Sequence, residues 1–297
     1  MIYESYGKIT DDLYAIGHAD LPAYLLFSEQ PALFDAGMTY MGPRYVKDLK
    51  DRLGDENRLR FNFLTHSHFD HAGAAPYLKK KIKGLRIGAH RLAAETFAKP
   101  NAVELIRNLS RNAEALHASD RGHEDVTFYD PHVDILLEDG TEIDLGGGLL
   151  VRTIATPGHT RDAVSYYIPK LKALLAGEAV GGLNVRMNVH PSFLSSYTDY
   201  CASLEKLSAL APEILLLGHH HTLTGEDARD FLRKSLDQTK TFHARIQNYL
   251  DDSHGDQAAV VQRIYQEDYV KAKLIRQDER PYLINAAAKV KTVAEGK

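Results

Sequence analysis

The chain has 297 residues, 44% apolar and 26% charged, with 36 basic against 40 acidic side chains and a formal net charge of −4. That balance suits an ordinary globular protein with a sizeable core and excludes collagen, coiled coil and wholesale disorder. It supplies no global positive field for long nucleic acids, and no run reaches the ~18 apolar residues of a membrane span. The single cysteine, Cys201, cannot form an intrachain disulfide and suits a reducing compartment. With no basic, apolar leader after Met1, the expectation is a cytoplasmic protein.

The first elements read as short strands split by turn signals. Residues 23–27 and 32–34 flank the polar Ser28-Glu29-Gln30-Pro31 and predict a hairpin. A strand over 60–65, a helix over 73–83 and a strand over 85–89 follow, an order that argues for an α/β element. From 91 to 117 the period changes: Leu105, Ile106, Leu109, Ala113 and Leu116 recur at helical spacing and predict a helical excursion. Strands return over 149–155, 164–168, 173–176 and 213–217, with a helix over 200–210 before the last. After Thr224 the strand signals stop. Leu232, Leu236, Phe242, Ile246 and Tyr249 begin a helical stripe that resumes at Val261, Ile264, Leu283 and Val290. Residues 226–297 are therefore expected to form a helical extension on a catalytic domain spanning 1–225.

Of the 15 histidines, three fall in Thr65-His66-Ser67-His68-Phe69-Asp70-His71, directly after an apolar strand. Four potential metal ligands within six residues are too many for a polar surface loop, and a strand end delivers them where they converge. Imidazole suits zinc, iron, nickel and copper, and the added carboxylate favours a borderline divalent ion. Three later strands each run into a glycine and then a ligand type: Gly158-His159, Gly177-Glu178 and Gly218-His219, the last opening a histidine triplet through His220 and His221. Glycine lets the backbone turn tightly there. Each alone is a common turn; four in this order point to one metal site.

These motifs, with Phe34-Asp35-Ala36-Gly37 as an accessory match, resemble the metallo-β-lactamase superfamily over residues 34–221. The resemblance implies an α/β fold of the αββα type, two sheets face to face with helices outside and a dinuclear site at one edge. It puts His66, His68 and His159 on one ion and Asp70, His71 and His219 on the other, with Glu178 at the bridging position. The family usually has Asp there. One extra methylene moves the carboxylate by ~1.5 Å against metal–oxygen bonds of ~2.0–2.2 Å, so the second ion depends on how Glu178 is placed.

The cofactors expected are two divalent ions, zinc first, with iron or manganese as substitutes. Water on such ions is acidified from about 15.7 to near 7 and supplies hydroxide at neutral pH, to cleave an ester-like bond of a small molecule, thioester before lactone. Asp70 both binds metal and orients or accepts the water proton. The layout of a helical insertion and a helical tail is similar to the quinolone-signal response thioesterase branch and to glyoxalase II. Alternatives are a small-substrate phosphodiesterase, a mononuclear iron persulfide dioxygenase, and a regulatory binding protein that keeps the metal site. Long nucleic acid and membrane are not expected as partners; a homodimer through the helical tail is. His190, Phe193, Tyr197 and His220, with Met187 and Tyr200, are the pocket candidates.

Overall fold

Two seven-stranded sheets stack face to face in the computed structural model, which describes residues 1–117, 119 and 122–297. In spatial order the first sheet contains Gly7–Lys8, Leu13–His18, Leu21–Leu26, Ala32–Phe34, Phe61–Phe63, Arg86–His90 and Ile135–Leu137. The second contains Ile2–Glu4, His221–Thr224, Ile214–Leu217, Ala173–Gly177, Val164–Ile168, Leu150–Ala155 and Glu142–Asp144. A ribbon of Gly182–Leu183 and Val189–His190 stands apart.

The near-continuous apolar runs have a physical reason: each central strand is covered on both faces. Along Leu21–Leu26, Ala23 and Leu25 point to the outer helices while Tyr24 and Leu26 point to the other sheet. Likewise Leu215 and Leu217 face out and Leu216 faces in. The inner layer centres on Phe34, Phe63 and Tyr166, whose rings lie 5.2–5.8 Å apart in tilted pairs. Truncating one of these phenylalanines to alanine would cost about 3–5 kcal/mol.

The helices are α1 (Gly42–Leu53), α2 (Phe69–Ala72), α3 (Ala75–Lys81), α4 (Arg91–Phe97), α5 (Pro100–Leu116), α6 (Tyr197–Ser208), α7 (Glu226–Asp252), α8 (Gln257–Ile264) and α9 (Glu279–Ala294), with a π-helical turn at Tyr265–Lys271. On one side, Tyr45 and Leu49 of α1, Leu78 of α3 and Phe97 of α4 cover the first sheet. On the other, α6 to α9 cover the second: Tyr200, Leu204, Phe231, Ile246, Val260 and Val290 share one cluster with Leu174 and Leu215. The layers are thus αββα. Among the described residues no helix is long and apolar enough to cross a membrane.

Two details differ from the sequence reading. The 91–117 stripe buries Ile106, but Leu105 and Leu116 are 58% and 76% exposed, because α5 touches the first sheet's helical layer along a narrower line than the pattern implies. His221 does not continue the ligand loop. It opens a short strand paired with Ile2–Glu4, and its polarity hid that strand from an alternation search.

Candidate metal centre

Strand direction places the site. Val164–Ile168 is antiparallel to both neighbours, so Leu150–Ala155 and Ala173–Gly177 run the same way, and Ile214–Leu217 is parallel to the latter. Their C-terminal ends therefore reach one edge, delivering His159, Glu178 and His219. In the first sheet Ala32–Phe34 and Phe61–Phe63 are parallel and deliver Asp35 and the Thr65–His71 stretch. Bonds between the sheets hold the two edges together: Tyr24 Oη donates to Leu217 O at 2.7 Å, Tyr166 Oη to Leu64 O at 2.6 Å, and Val164 N to Thr65 O at 2.8 Å.

The side chains converge in two groups: His66, His68, His159 and Glu178; and Asp70, His71 and His219. Within each, the candidate ligand atoms all lie within 4.8 Å of one another. Glu178 joins them. Its Oε2 is 2.8 Å from His159 Nε2, 3.4 Å from His66 Nε2, 3.6 Å from His71 Nε2 and 3.9 Å from His68 Nδ1. Its Oε1 is 3.9 Å from His219 Nε2, which is 3.7 Å from Asp70 Oδ2. The longer carboxylate thus reaches both groups, helped by a ladder irregularity between Leu175 and Gly177 that turns the chain just before it.

Outer contacts fix which nitrogens face inward. His71 Nδ1 donates to Asp35 Oδ2 at 2.9 Å, and His219 Nδ1 donates to Asp20 O at 3.0 Å. His159 Nδ1 donates to Ser192 O at 2.6 Å. Thr65 Oγ1 donates to Asp35 and so accepts from His66 Nδ1 at 3.0 Å. In each ring the proton is held outside and the lone pair turns into the centre, the orientation that metal-binding histidines need. His66 Nε2 is buried with no hydrogen-bond partner, a cost the fold would not carry without something to bind it. The donor set therefore fits divalent cations.

Protonation shows the same frustration. Burial, followed by the charges of His71 and His68, holds His66 well below the ordinary imidazole value. At His71 burial acts downward but is outweighed by Asp35, and the ring is pushed up to about 9. Burial disfavours ionised Glu178, yet His159 and its neighbours hold that carboxyl well below the usual range.

The site opens on a cavity of about 540 Å³. Leu21, Met38, Met41, Phe69, Leu183 and Tyr282 give it an apolar wall, and residues 274–289 reach over it from the C-terminal helices. His190 and His220 line it, and His220 Nδ1 lies 2.8 Å from Asp20 Oδ1. Phe193 and Tyr197 do not line it, a correction to the sequence reading. Phe193, in the segment before α6, is fully buried in the outer core, and Tyr197, the first residue of α6, stacks on His243 at 3.8 Å. Tyr200 is buried too, and Met187 lines a neighbouring cavity. Sequence reasoning missed Asp20, Ser192 and Lys289, which reach the site from distant segments; only Asp35 had a signal, as the accessory motif.

The family model of the metallo-β-lactamase superfamily matches residues 22–219. The chain belongs to the metallo-β-lactamase superfamily. The superfamily generally binds divalent metals, and relatives of this chain include proteins named as metallo-hydrolases and hydroxyacylglutathione hydrolases. The probable metallo-hydrolase YflN of Bacillus subtilis is 29% identical over 212 residues, covering 67% of this chain and 79% of that protein. A hydroxyacylglutathione hydrolase of Acidiphilium cryptum is 33% identical over 168 residues, 56% of this chain and 53% of that relative, about half its length. Among solved structures, a metallo-β-lactamase family protein of Thermus thermophilus superposes with a TM-score of 0.67 at 20% identity, covering 96% of this chain and 93% of that one. That likeness extends over the helical C-terminal part as well as the superfamily core.

Proposed function

We propose that this metallo-β-lactamase superfamily protein hydrolyses a small thioester, with lactones as the next class, using two divalent ions, zinc first. The observation that carries the reading is the convergence of two ligand groups about Glu178 at the floor of a largely apolar cavity. The hydroxyacylglutathione hydrolase relatives support the thioester class.

His66, His68, His159 and Glu178, with Asp70, His71 and His219, would hold divalent ions, which would supply hydroxide-like nucleophilicity and Lewis acidity at neutral pH. The chain's own residues do the rest. His66, His159, His71 and His219 face inward with tautomers fixed by outer contacts, His68 turns its Nδ1 toward the same group, and Glu178 spans both sets. Asp70 Oδ2 sits beside His219 at the cavity floor, placed to orient the water and take its proton. Phe69, Met38 and Leu183 exclude bulk water and hold an acyl chain. The acidic net charge and the concave site disfavour long phosphodiesters.

The test is a matched panel of thioesters, lactones and an activated phosphodiester with protein of measured metal content. The expected result is about two ions per chain and thioester turnover at least tenfold above the other classes, falling by about 10²–10⁴ in Asp70→Asn. Faster phosphodiester cleavage, or thioester turnover indifferent to Asp70, overturns the proposal.

A further inference from the structure

Lys289 lies on α9 and is only 4% exposed, yet it lines the cavity that the metal centre opens on. Its Nζ is 3.1 Å from His190 Nε2 and 5.4 Å from the centroid of the Phe242 ring. Among the described residues no carboxylate makes an ion pair with it. His190 is half-buried at the cavity wall; burial, then the nearby Lys289 charge, holds its imidazole well below the ordinary value, so it faces the ammonium as a neutral acceptor. Burial pushes Lys289 down to about 8, against the upward pull of Glu178 and Asp268.

A buried ammonium is costly unless an anion or a full set of acceptors compensates it. One imidazole and one aromatic face leave part of that compensation missing, and the open side of the group is the substrate cavity. We infer that Lys289 and His190 form a recognition subsite for a carboxylate carried by the substrate. This inference rests on the proposed hydrolase reading and narrows its substrate class to acidic thioesters. A carboxylate is favoured over a phosphate because one ammonium beside a neutral imidazole matches a single negative charge. Apart from the metal-ligand groups, the cavity lining sets Asp20 and Asp278 against Arg44 and Arg276, so it adds no net positive charge for a dianion.

The experiment compares wild type with Lys289→Met, and with Lys291→Met as control, since Lys291 is on the same helix with its side chain 66% exposed. Two matched pairs place the carboxylate on either side of the scissile bond. One is the glutarate monothioester of thiophenol against its valerate analogue. The other is S-butanoyl 3-mercaptopropionate against S-butanoyl propanethiol. In at least one pair wild type is expected to favour the acidic member in kcat/KM by about 10- to 100-fold. Lys289→Met reduces that ratio to near one through KM, and Lys291→Met keeps it.

Calorimetric titration of the metal-loaded proteins with glutarate and with 3-mercaptopropionate gives a readout independent of turnover. If no thioester is hydrolysed but either acid binds wild type at least tenfold tighter than Lys289→Met, the subsite stands and the hydrolase reading falls. Equal preference, or equal or absent acid binding in wild type and variant, overturns the inference. Removal of an uncompensated buried charge should also raise the melting temperature of Lys289→Met, which separates loss of recognition from loss of fold.

Discussion

Asp35 serves two histidines at once: its Oδ2 lies 2.9 Å from His71 Nδ1, and through the Thr65 hydroxyl it also orients His66. One buried carboxylate thereby sets a ring in each ligand group. It does so from a left-handed backbone position, φ 61°, which Asp and Asn adopt more readily than other side chains. Asp35→Asn should keep the backbone and lose the charge. We expect metal affinity to fall about 10- to 100-fold, read by competition with a chromogenic chelator; unchanged affinity would mean that Asp35 serves the fold alone.

Removing metal should destabilise the chain. The inward lone pairs, with His66 Nε2 the clearest case, lose the partner that offsets their burial. At metal concentrations about 1,000-fold above Kd the linkage is worth about 4 kcal/mol, so stripping with chelator should lower Tm by roughly 5–10 °C. Equal melting curves with and without chelator would contradict the ligand assignment.

Gly158, just before His159, has φ 129°, and an added Cβ would run into the Tyr200 backbone. Gly158→Ala should therefore cost about 3 kcal/mol or more in denaturant unfolding and displace His159. Urea titration together with metal content checks both effects; a variant of wild-type stability would show that the turn can relax.

How legible this site is depends on chain locality. His66, His68, Asp70 and His71 share one strand exit, so their spacing alone carries the chemistry. Glu178 could be placed by its Gly177 turn, but not its reach, which depends on a ladder irregularity. Asp20, Ser192 and Lys289 meet the ligands or cavity from far along the chain, and nothing in their neighbours marks them. Phe193 and Tyr197 mislead for a related reason: apolar spacing tells that a ring is buried, not which of three cores receives it. The central strands are readable because both of their faces are covered, whereas the edge strand Ile2–Glu4 and its short polar neighbour His221–Thr224 are not.

The helical tail carries its own pH signature. Arg245 Nη2 is 2.8 Å from Glu267 Oε2, which also accepts from Tyr249 Oη at 2.6 Å. Burial disfavours the ionised form, but Tyr249 and Arg245 outweigh it and hold Glu267 below the usual carboxylate range. A depressed carboxyl stabilises the folded state above its unfolded value, near 4.3, and that contribution fades as pH falls through the folded value. Thermal melts from pH 6 to 3 should show a steeper loss for wild type than for Glu267→Gln; parallel curves would rule the pair out as a contributor.

The pairing of Ile2–Glu4 with His221–Thr224, reinforced by Ser5 Oγ at 2.8 Å from Thr222 Oγ1, sets the order of assembly. The opening strand of the chain has no neighbour in its sheet until more than two hundred further residues have been made. Closing so long a loop is slow. During synthesis the first sheet can form early, carrying His66, His68, Asp70 and His71, while His219 arrives on one of the last strands. The ligand set is completed only when that edge closes, so a nascent chain is expected to hold its first ligands open, exposed to any competing imidazole-seeking ion, until its C-terminal half emerges.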